Sequence, residues 1–459
     1  MLALTACVAG PPPEVATPAP VLPATFTYAP DAATASSLGD LLPHDDPAFV
    51  ALVDQAVANG PTLAEALARI EQARAGAARA GAEQYPAAGA NASVTGTRTN
   101  PAQVSSNLPA GIAFDTERVA YAANITARWD PDVFGRLKAQ ERAALARLDA
   151  ADASARAVRL ALVGEIATTV IDWRTLEARR AAIGEDLAAA RRLAELTGVR
   201  EEAGIAPGFD RVRAESIADG AASRLAVLAS ERARLIGRLM TLTAQNAAQV
   251  EAMLATAAPP PALAAAPPGL PSDLLTNRPD VLAAAATLRA EDAELAATAR
   301  QRFPSFSLSG AIGLLAYGLG DLFDSQSMVG SLAATVAAPL LDFGRIGAEI
   351  DGAAAEKKIA FEAYRGAVYT ALGDAETAYA LVAASDAEAQ AVARQAASLQ
   401  RAARLANTRY EAGLENLLTV LDARRAADQS GEQAAASAGR ARRARVLLWQ
   451  ALGGTERPE

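Results

Sequence analysis

Residues 200–213 read REEAGIAPGFDRVR and residues 409–422 read RYEAGLENLLTVLD. Both carry Arg-x-Glu-Ala-Gly-(Ile/Leu), and the two glycines, Gly204 and Gly413, lie 209 positions apart (413 − 204). Each sits in a long stretch rich in Ala, Leu, Glu and Arg that otherwise reads as helix. A lone glycine there marks a turn, because a left-handed backbone conformation costs glycine little. The glycines therefore close two helical hairpins.

The same offset continues outward from the glycines. Phe134-Gly135-Arg136 returns as Phe343-Gly344-Arg345, and Leu239 maps onto Leu448, just before WQALGG. Nearer the amino terminus the offset becomes 218: Asn59 and Pro61 in NGPTLAEALARI match Asn277 and Pro279 in NRPDVLAAAATL, and Pro86 matches Pro304. The chain thus holds two copies of one unit, with a nine-residue difference absorbed between Pro86 and Phe134. The expected segments are a short-helix region (49–85), a β-hairpin (86–135) and a long helical hairpin (136–257). After an Ala/Pro linker (258–276) come a second short-helix region (277–303), β-hairpin (304–343) and helical hairpin (344–454).

The helical arms run from Arg136 to about Glu202 and from Arg345 to about Ala412. Ile346, Ile350, Tyr364, Val368, Leu372, Tyr379 and Val382 recur there at three- and four-residue steps, as in coiled coils. At 1.5 Å per residue each arm reaches roughly 100 Å. The segments before each FGR alternate with period two instead. Val119, Tyr121, Ala123, Ile125, Ala127 and Trp129 face one way, and Asn124, Thr126 and Arg128 the other; Phe306, Leu308 and Ile312 oppose Ser305, Ser307 and Ser309. With NASVTGTRT and SLAATVAAP this gives four strands of about ten residues, long enough to cross a bilayer when tilted. Four strands cannot close a barrel, and an open edge in lipid leaves backbone groups unsatisfied, so several chains must share one barrel. The fold class expected is mainly α with a β-barrel part.

Composition limits the chemistry. The 459 residues are 51% hydrophobic but only 5% aromatic, which suits long, closely packed helices. A net charge of −9 and the lack of a basic, aromatic-interleaved stripe argue against nucleic acid. One cysteine and one histidine leave no metal cluster and no nucleophile–base pair, and His44 in LLPHDDP reads as an exposed loop residue. GAIGLLAYGLGD lacks phosphate-loop spacing, so no cofactor and no enzymatic activity are expected. The single cysteine, Cys7, follows Leu4-Thr5-Ala6 as in a bacterial lipoprotein processing site. Residues 1–7 are expected to be the remnant of a longer leader, and 8–48 a Pro-rich tether.

Taken together, LTAC, DPAFVALVDQAVANGPTLAEALARIEQARA, ARWDPDVFGR, LLTNRPDVLAAAATLRAEDAELAATARQRFPSFSLSGAIG, LDFGR, RYEAGLENLLTVLDARR and ALGG resemble the outer membrane factor family of TolC-like trimeric channels. The likeness is greatest to its lipoprotein efflux branch, the NodT-type channels, and covers Cys7 to Gly454. The resemblance implies a homotrimer, with each chain giving four strands to a twelve-stranded outer-membrane barrel and long helices to a periplasmic α-barrel. It implies a passive conduit for small compounds, partnered by a periplasmic adaptor and an inner-membrane pump of the RND type. It implies a lipid anchor on Cys7 in outer membrane lipid. Gly204, Gly413, Ala203 and Ala412 match hairpin tips where the adaptor docks; Asp210, Asp422 and Tyr410, with Arg409 beside them, match the periplasmic aperture. Glu415 stands where some members carry a tip arginine, and Thr419 where some carry an aspartate, so the closing network differs here. Two alternatives stand beside this reading: a conduit for protein secretion, against which the lipobox counts, and a soluble periplasmic coiled-coil scaffold.

Overall fold

A computed structural model describes residues 14–30, 36–100, 117–205, 207–256, 258 and 263–454. The chain is mainly helical and divides into two compact units: 1–18 with 71–150 and 285–362, and 19–70 with 151–284 and 363–459. Cys7, and with it the expected lipidation, lies outside the described residues.

The first unit contains a four-stranded antiparallel sheet in the order β1 (Ala87–Arg98), β2 (Glu117–Trp129), β3 (Ser305–Ala316), β4 (Met328–Ala337). The two hairpins join through β2 and β3, where Ile125 lies opposite Ile312 and Trp129 opposite Leu308. Register decides what this sheet can do. Val94 pairs with Tyr121, Ile125 with Ala90 and Leu314 with Met328, so the apolar alternations of all four strands fall on one face. Asn124, Thr126, Arg128, Ser307, Ser309 and Thr335 fall on the other. The apolar face is not covered: Ile125 and Ile312 are each 58% exposed and Leu332 is 79% exposed. Among the described residues β1 and β4 each pair on one side only, leaving two open edges of ten or more residues.

Below the sheet the two FGR motifs start the longest helices, α3 (Arg136–Glu202) and α8 (Arg345–Glu411), each of 67 residues. A helix leaves its first amides without partners. Here an aspartate just upstream takes them: Asp132 accepts from the amides of Leu137 and Lys138, and Asp342 from those of Ile346 and Gly344. These amide hydrogen bonds hold the Asp342 carboxyl below its ordinary pKa. Gly135 and Gly344 turn the chain at φ of +77° and +88°. Phe134 stacks on Phe303, ring centroids 4.9 Å apart.

The second unit holds the main core. Helices α1 (Pro47–Asn59), α4 (Gly208–Thr243), α5 (Ala247–Leu254), α6 (Leu274–Asn277) and α9 (Leu417–Ala451) pack here with the later parts of α3 and α8 around Phe49, Leu52, Ile166, Leu239, Leu448 and Tyr379. The segment expected as a tether contributes Phe26, Leu41 and Leu42 to this core, and the amides of Thr27 and Tyr28 bind the Glu376 carboxylate. Asp46, 2% exposed, caps α1 through the Ala48 amide and grips Arg174 at 2.8 and 3.0 Å.

Residues 49–85 hold the rest of α1 and all of α2 (Pro61–Ala82); in the second copy α6 is followed by α7 (Pro279–Ala299). Proline forces its predecessor out of the α region. Gly60 and Arg278 are accordingly extended, at ψ of 122° and 117°.

Candidate functional site

The hairpin tips repay inspection first, because the chain turns there at residues chosen for it. Gly204 and Gly413 take φ of +73° and +74°. The Gly204 amide donates to Glu201 O at 2.8 Å and Ile205 to Arg200 O at 2.9 Å; Gly413 donates to Tyr410 O at 3.0 Å and Leu414 to Arg409 O at 2.8 Å. Both turns are the paired-amide C-terminal cap, which a residue with a Cβ enters only under strain. Such caps commonly tuck the next apolar residue back against the helix. Here Ile205 is 75% and Leu414 68% exposed, and Ala203 and Ala412 are exposed beside them. Each tip is thus a small-residue turn that presents one large apolar side chain outward.

The two hairpins meet just behind the tips. Leu193 of α3, Ala214 of α4 and Leu417 and Leu421 of α9 form one buried cluster, with Tyr410 of α8 packed on it. The Arg200 guanidinium lies over the Tyr410 ring, 5.1 Å from its centroid, and donates to the phenol oxygen at 2.5 Å. Tyr410 is thereby clamped to the other hairpin, a contact between residues 210 positions apart (410 − 200) that spacing alone did not suggest. Asn416 caps α9 through the Thr419 amide, and the Thr419 hydroxyl also donates to Asn416. Thr419 thus serves the cap.

The aspartates are placed differently from each other. Asp210 is half-buried in the first turn of α4, and Asp422 is exposed on α9. Three arginines lie near them in sequence, Arg211, Arg409 and Arg424. Arg211 donates to Glu201 and Glu215, both at 2.7 Å; Arg409 pairs with Glu415 at 3.7 Å; Arg424 donates to Asn407 at 3.2 Å. None of the three takes Asp210 or Asp422. Its hydrogen bonds to Glu201 and Glu215 raise the Arg211 pKa, so it stays charged at any working pH. Ion pairs therefore flank the two tips.

From the tips back toward the main core, α3 and α9 run as an antiparallel seam. A Cβ on Gly164 would meet Gln450, and one on Gly439 would meet Thr175 Oγ1 at 2.6 Å. Eleven residues along α3 (175 − 164) correspond to eleven back along α9 (450 − 439), or three turns at 3.67 residues. Arg443 pairs with Asp172 at 3.0 Å on the same seam.

Comparison with known proteins gives this geometry a context. The chain matches the family described as "Outer membrane efflux protein" over residues 52–245 and 270–454. It is 31% identical over 404 residues to the outer membrane protein OprJ of Pseudomonas aeruginosa, covering 88% of this chain and 83% of that one. It is 28% identical over 412 residues to the toluene efflux pump outer membrane protein TtgI of Pseudomonas putida, covering 89% and 86%. The solved outer-membrane channel OprN superposes with a TM-score of 0.84 at 25% identity, over 97% of this chain and 99% of its own.

Proposed function

We infer that this chain, which belongs to the outer membrane efflux protein family, is the outer-membrane conduit of a tripartite efflux system, passing small compounds delivered by an inner-membrane pump through a periplasmic adaptor. It is an outer-membrane protein of an efflux family, not of an enzyme family. The observation that carries the finer reading is the sheet: four strands, one apolar face uncovered, and both edges open. Such a sheet satisfies its backbone in lipid only by joining its edges to other copies. Three copies give twelve strands for one closed barrel and six helical hairpins. The twofold repeat, the segment boundaries and a lipid anchor on Cys7 belong to the same reading.

Detergent-purified protein should contain three chains by native mass measurement, and Cys7→Ser should lose acyl mass while staying trimeric. A stable soluble monomer would sink the conduit reading.

In this trimer Asp210 and Asp422 each occur three times near the tip aperture, with Tyr410 held by Arg200 as the closing contact and Arg409 tied to Glu415. Rings of uncompensated carboxylate attract cations into a pore. In planar bilayers, Asp210→Ala/Asp422→Ala protein should show weaker cation preference than wild type and weaker block by divalent ions. Unchanged values for both would reject the ring.

A further inference from the structure

The register of the α3–α9 seam continues past Thr175 and Gly439: one more step of eleven (175 + 11 and 439 − 11) sets Asp186 of α3 opposite Asp428 of α9, and beyond them Leu193 and Leu421 share a buried cluster. Both aspartates are half-buried. Two carboxylates held opposite each other in a half-buried seam repel unless one of them is protonated.

The other charged groups facing the pair come from α4 and α9. From α4 comes Arg224, whose guanidinium is committed to Glu432 of α9 at 3.1 Å. Glu432 adds a third carboxylate nearby, and Arg424 of α9 is turned to Asn407 of α8. Neither arginine donates to the pair, so their charges act only at a distance. Burial pushes the Asp186 carboxyl up to about 7, with the Asp428 charge adding to the rise and Arg224 opposing it; burial raises Asp428 as well.

We propose that Asp186 and Asp428 are a proton-operated latch between the two helical hairpins, in which one shared proton holds α9 against α3 and its loss lets them part. The consequence for the aperture rests on the conduit reading above. Asp428 lies fifteen residues after Gly413 (428 − 413) and Asp186 eighteen before Gly204 (204 − 186), so separation there frees the terminal turns that carry Tyr410 and Leu417.

The sign follows from linkage. A carboxyl raised in the closed state favours that state fully below its free value of 3.8, and the preference is lost as pH rises toward about 7. Mild acid closes the seam; neutral and alkaline pH loosen it.

The test uses the full-length trimer and two readouts: amide-exchange protection of residues 417–430, corrected for the intrinsic pH dependence of exchange, and open probability in planar bilayers. Between about pH 5 and pH 8, wild-type protection should fall on the order of tenfold and open probability should rise. Asp428→Asn and, separately, Asp186→Asn supply a donor without a titrating proton and should flatten both profiles, while Asp219→Asn on the exposed face of α4 should not. A pH-independent wild type, or Asn variants with the wild-type slope, would overturn the latch. Protein that shows the exchange profile but conducts at no pH would instead reject the conduit reading and leave the latch standing.

Discussion

Cells producing Gly413→Trp at wild-type levels should lose efflux-dependent resistance almost entirely, to the level of cells lacking the protein. Two effects act at this position, and they can be separated. The backbone sits at φ of +74°, where any L residue with a Cβ is strained by about 1–2 kcal/mol. The space around it is open, with nothing within 4 Å of an added Cβ, so the first atom of a side chain meets no atom of its own chain there. On the reading that an adaptor docks at this tip, the indole would collide with that partner. Gly413→Asn tolerates the left-handed conformation and should stay close to wild type; Gly413→Ala carries the strain alone and should lose a modest fraction of activity. Only the tryptophan adds bulk outside the chain. Resistance in Gly413→Trp cells equal to that in Gly413→Asn cells would rule out adaptor docking at this tip.

The tip was legible in the sequence because its determinants are local. A single glycine after Arg-x-Glu-Ala, repeated at a fixed offset, specifies the cap geometry within six residues, and the structure places the left-handed turn at both glycines. The strands were legible for a similar reason, since alternation needs only neighbours i and i + 2. Register between hairpins was not, and the joining of β2 to β3 that gathers the apolar residues on one face comes from the structure.

Long-range polar contacts were out of reach. FGR was visible as a repeat, but the capping role of Asp132 and Asp342 became evident only with the helix starts in view. Asp46 with Arg174, Arg200 with Tyr410 and Asp186 with Asp428 each join residues more than a hundred positions apart, and no spacing rule selects them. The partners of Arg211, Arg409 and Arg424 at the tips were equally out of reach. Arg211 has a glutamate at i + 4 and another across the turn, and these nearer carboxylates take it first.

The other large effect expected is on stability, at Arg278. Its side chain is 10% exposed and is shared among three acceptors: Asp280 at 2.6 and 3.0 Å, Asp374 at 3.1 Å and the Ala451 carbonyl at 3.2 Å. It stands at the break before Pro279, where the other copy has Gly60 before Pro61; Gly60 is hemmed in by the Ala56 and Leu242 carbonyls, whereas the Arg278 fork ties α6, α8 and the end of α9 together. Close by, Gly453 at φ +91° lets the chain pass Asn277, whose carbonyl oxygen would lie 2.6 Å from a Cβ. Removing a buried charge with its partners left behind costs about 3–5 kcal/mol; Asp280 and Asp374 are 44% and 50% exposed and rehydrate in part, so Arg278→Ala should cost about 3 kcal/mol. Arg278→Lys offers a point charge that cannot fork to three acceptors and should recover only a fraction. Burial raises the Asp280 carboxyl, but the hydrogen bond and charge of Arg278 outweigh it and hold the group below its ordinary 3.8. A depressed carboxyl gives stability that is present above the unfolded value and lost as pH falls through the folded one. The gap between wild type and Arg278→Ala in thermal melting, followed by helical circular dichroism, should therefore be full at neutral pH and narrow below about pH 4. A gap that stays constant down to strong acid would assign the loss to packing of the arginine stem rather than to its charge.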